Sequence, residues 1–511
     1  MINTERRTAS TNRLSKKNQL IIFAIHFVIM LLVYGRLLQP HYSPDFFSVH
    51  VNGASELPHH IRNGRILYGL ILCVVEYLGL GVTTYTTAYT LLFICVASYC
   101  VMRVCTALCN MANCDDMKIV IAVSLALLNS VINISMTEWF LFVECMLMYS
   151  LALLFSTVGA MVFAQRQSSL LRKILISFAA VFVSVNCYQA ALSWYFTLSL
   201  LFVLMGSGWK FNKAMVVECV AAIMIAAVNS LLNQLIVRIA ATSPYVGYMG
   251  RHATLSVADV IANVVKSIPI QLRFLHSGFS LMPRYFLFAA FSLGAMMVSI
   301  AVYQKYRDEV WVGRLILLAL VLCAGYAFVY LPHFVSSYMD IAPRSVLGIF
   351  MLLALMLALT LLWGKQWMRW LALCCSVVVL VITHLSISHI IDDHLLTSQR
   401  DYAEAQDIVC AIDEYEQRSG ETVREICVIK DAKPSYYYPE VTTGVKDINL
   451  RQIYIDWEQV NILTALSGRS FVHKYVSAED EYAIVQGRNW DELNLDEQLI
   501  FQGMTLYIIA F

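Results

Sequence analysis

Charge is scarce in this sequence. Of 511 residues, 14% are Asp, Glu, Lys or Arg, against 59% apolar and a mean hydropathy of +0.65. Soluble domains carry about a quarter charged residues, so a large cytosolic enzyme is excluded. Nucleotide-handling motifs are missing too. There is no phosphate loop, no G-x-G-x-x-G opening a helix after a strand, no nucleophile elbow and no H-E-x-x-H. Nucleotide-driven transport or synthesis therefore has no support, and no cofactor is implied. The 14 cysteines show no zinc-ligand spacing, so no metal site is expected. All but Cys410 and Cys427 lie in or near apolar runs, where cysteine acts as a small apolar residue. Basic residues are dispersed between those runs rather than gathered on one face, which argues against nucleic acid.

What charge there is divides unevenly. Residues 1–391 hold 26 Lys/Arg and 13 Asp/Glu, whereas 392–511 hold 10 and 22, so the net +1 is the sum of +13 and −12. In the first part, apolar runs of about 18–25 residues recur, long enough to cross a hydrocarbon core as helices. Between Lys173 and Lys210 the chain is uncharged for 36 residues. That is about 54 Å of helix, so the run must go out and return, turning near Asn186-Cys187-Tyr188-Gln189. Turns are likewise expected near Glu138 and near Asp340 and Arg344. The pattern predicts a polytopic α-helical membrane protein with about 11 transmembrane helices: 19–38, 85–105, 118–136, 142–164, 172–187, 190–207, 215–237, 285–303, 313–332, 346–364 and 370–389.

Arg6, Arg7, Arg13, Lys16 and Lys17 precede the first run, and basic clusters mark every second loop. The positive-inside rule then makes residues 1–18 a cytoplasmic N-terminus and 19–390 the transmembrane domain, with an exported tail of 391–511. Two large outer loops are expected, 39–84 and 240–284. The first ends in an apolar run, Ile66–Leu80, lying in the interface. The second holds Tyr245, Tyr248, Arg251 and an amphipathic helix over Leu255–Leu275 on the bilayer surface. The tail reads as a small α/β domain: a helix over Asp401–Gln417 capped at Ser419-Gly420, then strands at Thr422–Ile429, Leu450–Trp457 and Leu506–Phe511. A Cys410–Cys427 disulfide is permitted there but not implied.

The outer face holds the candidate chemistry. Asp45, in Tyr42-Ser43-Pro44-Asp45-Phe46-Phe47, either takes a proton from an acceptor hydroxyl or is a solvated loop aspartate. Arg62 and Arg65, three apart, share a helical face if that segment is helical, suiting phosphate oxygens or simple snorkelling. Arg344 is a second phosphate candidate, or the partner of Asp340. Glu138 and Glu144 bracket another outer turn, in functional or structural roles. Tyr436-Tyr437-Tyr438, between Pro434 and Pro439, is either a sugar-stacking strip or a core edge.

Four short motifs then occur in order: Asp45; Asn63-Gly64-Arg65; Tyr188-Gln189-Ala190; Ala342-Pro343-Arg344. The combination resembles the phage-type serotype-converting O-antigen glucosyltransferases, polytopic membrane proteins of GT-C-like architecture, and spans most of the chain. The resemblance implies a bacterial inner-membrane enzyme with its C-terminal domain in the periplasm. It would move glucose from a polyprenyl-phosphate-glucose donor to a lipid-linked O-antigen acceptor, alongside a companion flippase and a donor-synthesising glycosyltransferase. It casts Asp45 as base or acceptor-orienting group, Arg65 and Arg344 as donor-phosphate groups, and Tyr188 and Gln189 as structural or donor-orienting groups. Arg62 is a further phosphate candidate and Glu138 a further substrate-orienting one on their own chemistry. Family members often pair acids in the first loop; here the next acid after Asp45 is Glu56, the second candidate base. The competing readings are an O-antigen polymerase and a lipid-linked-sugar flippase or other secondary transporter. Internal repeats and midplane polar groups would favour a transporter; no clear repeat is present.

Overall fold

The computed structural model describes residues 14–247, 256–307, 311–337, 339–430, 436–486 and 495–510. Arg6, Arg7, Arg13, Tyr248, Arg251, Pro434 and Phe511 lie outside them. The chain is a polytopic helical bundle bearing a small C-terminal sheet. Among the described residues, nine helices are long and apolar enough to cross a membrane. Side chains such as Leu32, Leu231 and Leu385 are exposed along them, as expected where lipid replaces water.

A helix occupies each of the eleven expected positions, but two are shorter than a full crossing: Met117–Leu128 and Leu347–Trp363. The first stops early because Asn129, Ser130 and Asn133 turn their side chains onto the local backbone, competing with the helical ladder. Asn129 Nδ2 donates to the Ala126 carbonyl (3.0 Å), and Asn133 caps the next helix, Ile134–Leu141, by accepting from Met136 N–H (2.9 Å). The break is buried, and Tyr34 Oη donates to the freed Val131 carbonyl (3.0 Å), so irregular backbone is tolerated at that depth. Leu347–Trp363 is buried on every face from Leu347 to Leu362, an apolar rod around which longer helices pack.

The composition change near residue 391 does not break the chain. Gln366–Ser419 is one helix of 54 residues, about 81 Å long. It carries the last apolar run directly into the tail and ends as expected at Gly420, which takes the left-handed conformation (φ 72°) with its N–H on the Glu416 carbonyl. The tail sheet has order β2-β1-β4-β3, with β1 Glu425–Lys430, β2 Val472–His473, β3 Leu499–Gln502 and β4 Thr505–Ala510. β1 is parallel to β2 and β4, and β3 is antiparallel to β4. Alternate residues of β1 face opposite ways: Ile426 joins the main core with Ile408 and Ile412 of the long helix, while Cys427 and Ile429 pack with Tyr507.

The strand expected at Leu450–Trp457 does not form; Gln452–Tyr454 is a single 3-10 turn. Ile453, Tyr454 and Ile455 are all buried, so the segment is covered on both sides. Its polar groups bond to the membrane part instead of to a ladder: Gln452 Nε2 donates to the Ser43 carbonyl (2.9 Å). Cys410 and Cys427 are free thiols.

Candidate functional site

The four short motifs, spread over some 300 positions, meet at the end of the bundle beneath the C-terminal domain. The first large loop folds into short helices, Phe46–Asn52, Leu57–Arg62 and Ile66–Tyr77, joined by the turn Asn63-Gly64-Arg65. Gly64 has φ +72°, and a Cβ there would come within 2.7 Å of Asn233 Oδ1 and closer still to Gln189 Nε2. Only glycine admits that approach. The turn is pinned from two sides. Gln189 Nε2 donates to the Asn63 carbonyl (2.9 Å), and Asn233 Nδ2 donates to the Gly64 carbonyl (2.7 Å) and to Asn186 Oδ1 (3.1 Å). Gln189 therefore positions the Arg65 turn.

Arg65 lies over the Tyr188 ring, 5.3 Å from its centroid. Tyr188 leaves the helix Leu170–Cys187 in extended conformation, where the expected reversal occurs. Its ring meets those of Trp139 (5.2 Å) and Tyr149 (5.0 Å) edge to face. Burial pushes the Tyr188 hydroxyl up despite the two nearby guanidinium groups, so it stays a neutral donor. Arg65 Nε is buried without a hydrogen-bond partner, and among the described residues no carboxylate bonds this side chain.

Arg344 presents the opposite situation. Its guanidinium donates to the fully buried carboxylate of Glu138 and to Asp447 of the tail (2.6 Å). Glu138 also accepts from the Arg344 backbone N–H, and Trp139 Nε1 donates to the Arg344 carbonyl (2.9 Å). Asp340, the alternative partner the sequence offered, pairs with Lys446. Arg344 is thus neutralised twice, and Glu138 serves this clamp.

Asp45 caps no helix with its side chain, although it stands at the start of Phe46–Asn52. Its Oδ1 accepts from Trp457 Nε1 (3.0 Å), leaving a half-buried carboxylate whose second oxygen has no partner among the described residues. Three more acids gather around it. Ser43 Oγ donates to Glu144 (2.7 Å), both oxygens of buried Glu458 accept from Ser48 N–H (2.9 and 3.2 Å), and Ser48 Oγ donates to Glu56 (2.8 Å). Glu56 also accepts from Asn52 (2.9 Å), so it is more committed than Asp45. Burial, with Asp45, Glu144 and Glu56 nearby, holds the Glu458 carboxyl well above the usual carboxylate range. Arg62 is half-buried on the same short helix as His59 and His60. His60 is buried against Tyr68, and desolvation takes its ring down to about 3, a neutral core histidine.

Sequence reading missed the tail's contribution. Asp447, Gln452, Trp457 and Glu458 all reach the first loop or Arg344, and Asn233 holds the Gly64 turn. Of the tail tyrosines, Tyr438 Oη is buried on Asp401 (2.9 Å) and Glu404 (2.8 Å) and Tyr437 Oη donates to the Lys446 carbonyl (3.0 Å), whereas Tyr436 is exposed. In comparisons with known proteins, the chain matches no protein family, no curated protein and no solved structure.

Proposed function

We propose that this chain is a membrane glycosyltransferase of GT-C-like architecture, using a polyprenyl-phosphate-sugar donor, with glucose and an O-antigen repeat unit as donor sugar and acceptor. The observation that carries the reading is Arg65: a half-buried cation on Tyr188 that no carboxylate bonds among the described residues, within electrostatic reach of the Asp45 carboxylate. In the reaction the acceptor oxygen forms a bond to the sugar's anomeric carbon as the bond from that carbon to the donor phosphate breaks. Asp45 takes the acceptor hydroxyl proton, and Arg65 meets the charge that develops on the departing lipid phosphate. Gln189 and Asn233 hold the Arg65 turn, Tyr188 supports the guanidinium face, and Arg344 braces the site through Glu138. The donor is already activated, which accords with a chain that carries no nucleotide motif.

The test is glycan analysis of lipopolysaccharide from cells with and without the gene, joined by Asp45→Asn. Loss of a glucose branch on deletion, and its failure to return with Asp45→Asn, is the expected result. Unchanged branching on deletion removes the glucosyltransferase reading. A changed chain length with an intact repeat unit marks a polymerase.

A further inference from the structure

Away from the Arg65 site, the helix Val257–Ser277 and the turn that follows it enclose a cleft of about 460 Å³ lined by Arg273, His276, Ser277, Ser280, Met282 and Arg284. Among the described residues no carboxylate bonds Arg273, His276 or Arg284, so three nitrogen-bearing side chains converge with no counter-charge. The turn is held in a backbone arrangement that side chains disfavour: Phe279 (φ 62°), Ser280 (φ 76°) and Tyr285 (φ 62°) are all left-handed non-glycines. Such positions collect at ligand clamps. Ser277 accepts from Ser280 N–H (3.1 Å), and the His276 ring meets Tyr285 edge to face at 4.5 Å, fixing the cleft's rim.

The helix itself shows what approaches. At 100° per residue its surface divides into three faces. Val260, Asn263, Ser267 and Phe274 pack inward, with Asn263 Nδ2 donating to the carbonyls of Phe334 (3.1 Å) and Ser336 (2.9 Å). Val257, Ile261, Val264, Val265, Ile268 and Leu272 form a continuous stripe about 100° wide, all exposed. Asp259, Lys266 and Arg273 occupy the third face. A cationic cleft at the C-terminal end of a helix that also carries an exposed apolar stripe matches an amphiphile with an anionic head.

We infer that this cleft binds the phosphate headgroup of a membrane lipid, with Arg273 and Arg284 on the phosphate oxygens, Ser280 as hydroxyl donor, and the lipid chain along the Val257–Leu272 stripe. The site shares no residue with the Arg65 centre and does not depend on the transferase reading. It is tested with the full chain in phosphatidylcholine nanodiscs containing graded phosphatidic acid, counting bound anionic lipids by native mass spectrometry. Arg273→Gln with Arg284→Gln is expected to weaken the tightest phosphatidic acid adduct about tenfold. Lys266→Gln, which removes a charge from the same helix outside the cleft, is expected to leave that adduct unchanged, and Arg273→Lys to retain most of it. Inorganic phosphate at millimolar concentration is expected not to displace the lipid. Equal loss with Lys266→Gln would reduce the effect to general surface charge, and displacement by inorganic phosphate would make this a free-anion site; either result overturns the proposal, as does an unchanged adduct in the double variant.

Discussion

The turn at Gly64-Arg65 and the turn at Pro343-Arg344 offer the same side chain at the same end of the bundle, yet they hold it in opposite electrostatic states. Arg344 is closed by Glu138 and Asp447, with a side chain only 16% exposed. Arg65 rests on an aromatic face, and among the described residues its Nε lacks a partner. A guanidinium enclosed by two carboxylates has little attraction left for a third anion. One stacked on tyrosine keeps its charge available. Residue type and position within a motif therefore do not set an arginine's role; its neighbours do.

The sharpest test of this contrast breaks the closed turn. Glu138→Ala leaves Arg344 half-compensated in a buried setting, and breaking such a pair costs about 3–5 kcal/mol. Asp447 remains, so the lower end is expected. The purified variant's Tm by tryptophan fluorescence is expected to fall by many degrees, or the protein to be lost from membranes. Glu138→Gln combined with Arg344→Met is expected to recover much of that loss, since no charge is then stranded. If Glu138→Ala leaves Tm untouched while abolishing transfer, the clamp reading fails and Glu138 belongs to the chemistry.

Arg65→Ala should show the reverse pattern. Removing one group that meets developing negative charge costs about 10²–10³ in turnover, while few contacts are lost from the fold. Transfer from a polyprenyl-phosphate-sugar in proteoliposomes is expected to drop by that factor with Tm nearly unchanged, and Arg65→Lys to recover part of it. A large fall in Tm with intact specific activity would place Arg65 with Arg344 and erase the comparison.

Much of this was legible in the sequence, and the limits are physical. Apolar length located the helices, because a bilayer demands about 20 apolar residues of whatever order. The break at Asn129–Asn133 was hidden: polar side chains that bond their own backbone interrupt a helix without changing hydropathy much. Asp45, Arg65, Tyr188, Gln189 and Arg344 stood out as local motifs. The groups that assign their roles did not. Asp447 reaches Arg344 across 103 positions, Trp457 reaches Asp45 across 412 and Asn233 reaches Gly64 across 169. Pairing over such distances leaves no periodicity to read, and the tail segment carrying Trp457, a strand candidate by composition, packs as a turn.

A smaller effect is expected at Gly64. Alanine there must adopt φ +72° and press against Asn233 and Gln189, at a backbone cost of about 1–2 kcal/mol plus whatever the two amides lose in moving. The turn should shift rather than unfold, so KM for the lipid donor is expected to rise several-fold with Tm lowered by a few degrees. An unaltered KM would show that the Arg65 position tolerates displacement, and would weaken its assignment to the donor phosphate.

The finest distinction concerns the acids beside each arginine. On the Arg344 side Glu138 has a cation in contact; on the Arg65 side Glu458 is buried among Asp45, Glu144 and Glu56 and, among the described residues, accepts only from a backbone N–H. Its carboxyl is held well above the ordinary carboxylate range, so the folded protein keeps a proton that the unfolded chain has released. The stability tied to that proton is full below the ordinary carboxylate value and is lost as pH rises through the folded value. Each pH unit in which only the folded state holds the proton corresponds to about 1.4 kcal/mol. Tm of the native protein, scanned upward from pH 5, is expected to decline more steeply than that of Glu458→Gln, whose amide oxygen still accepts from Ser48 without titrating. Parallel slopes would mean that Glu458 is ionised in the fold and that the cluster's charge is balanced by Arg65 after all, which would make the two turns alike.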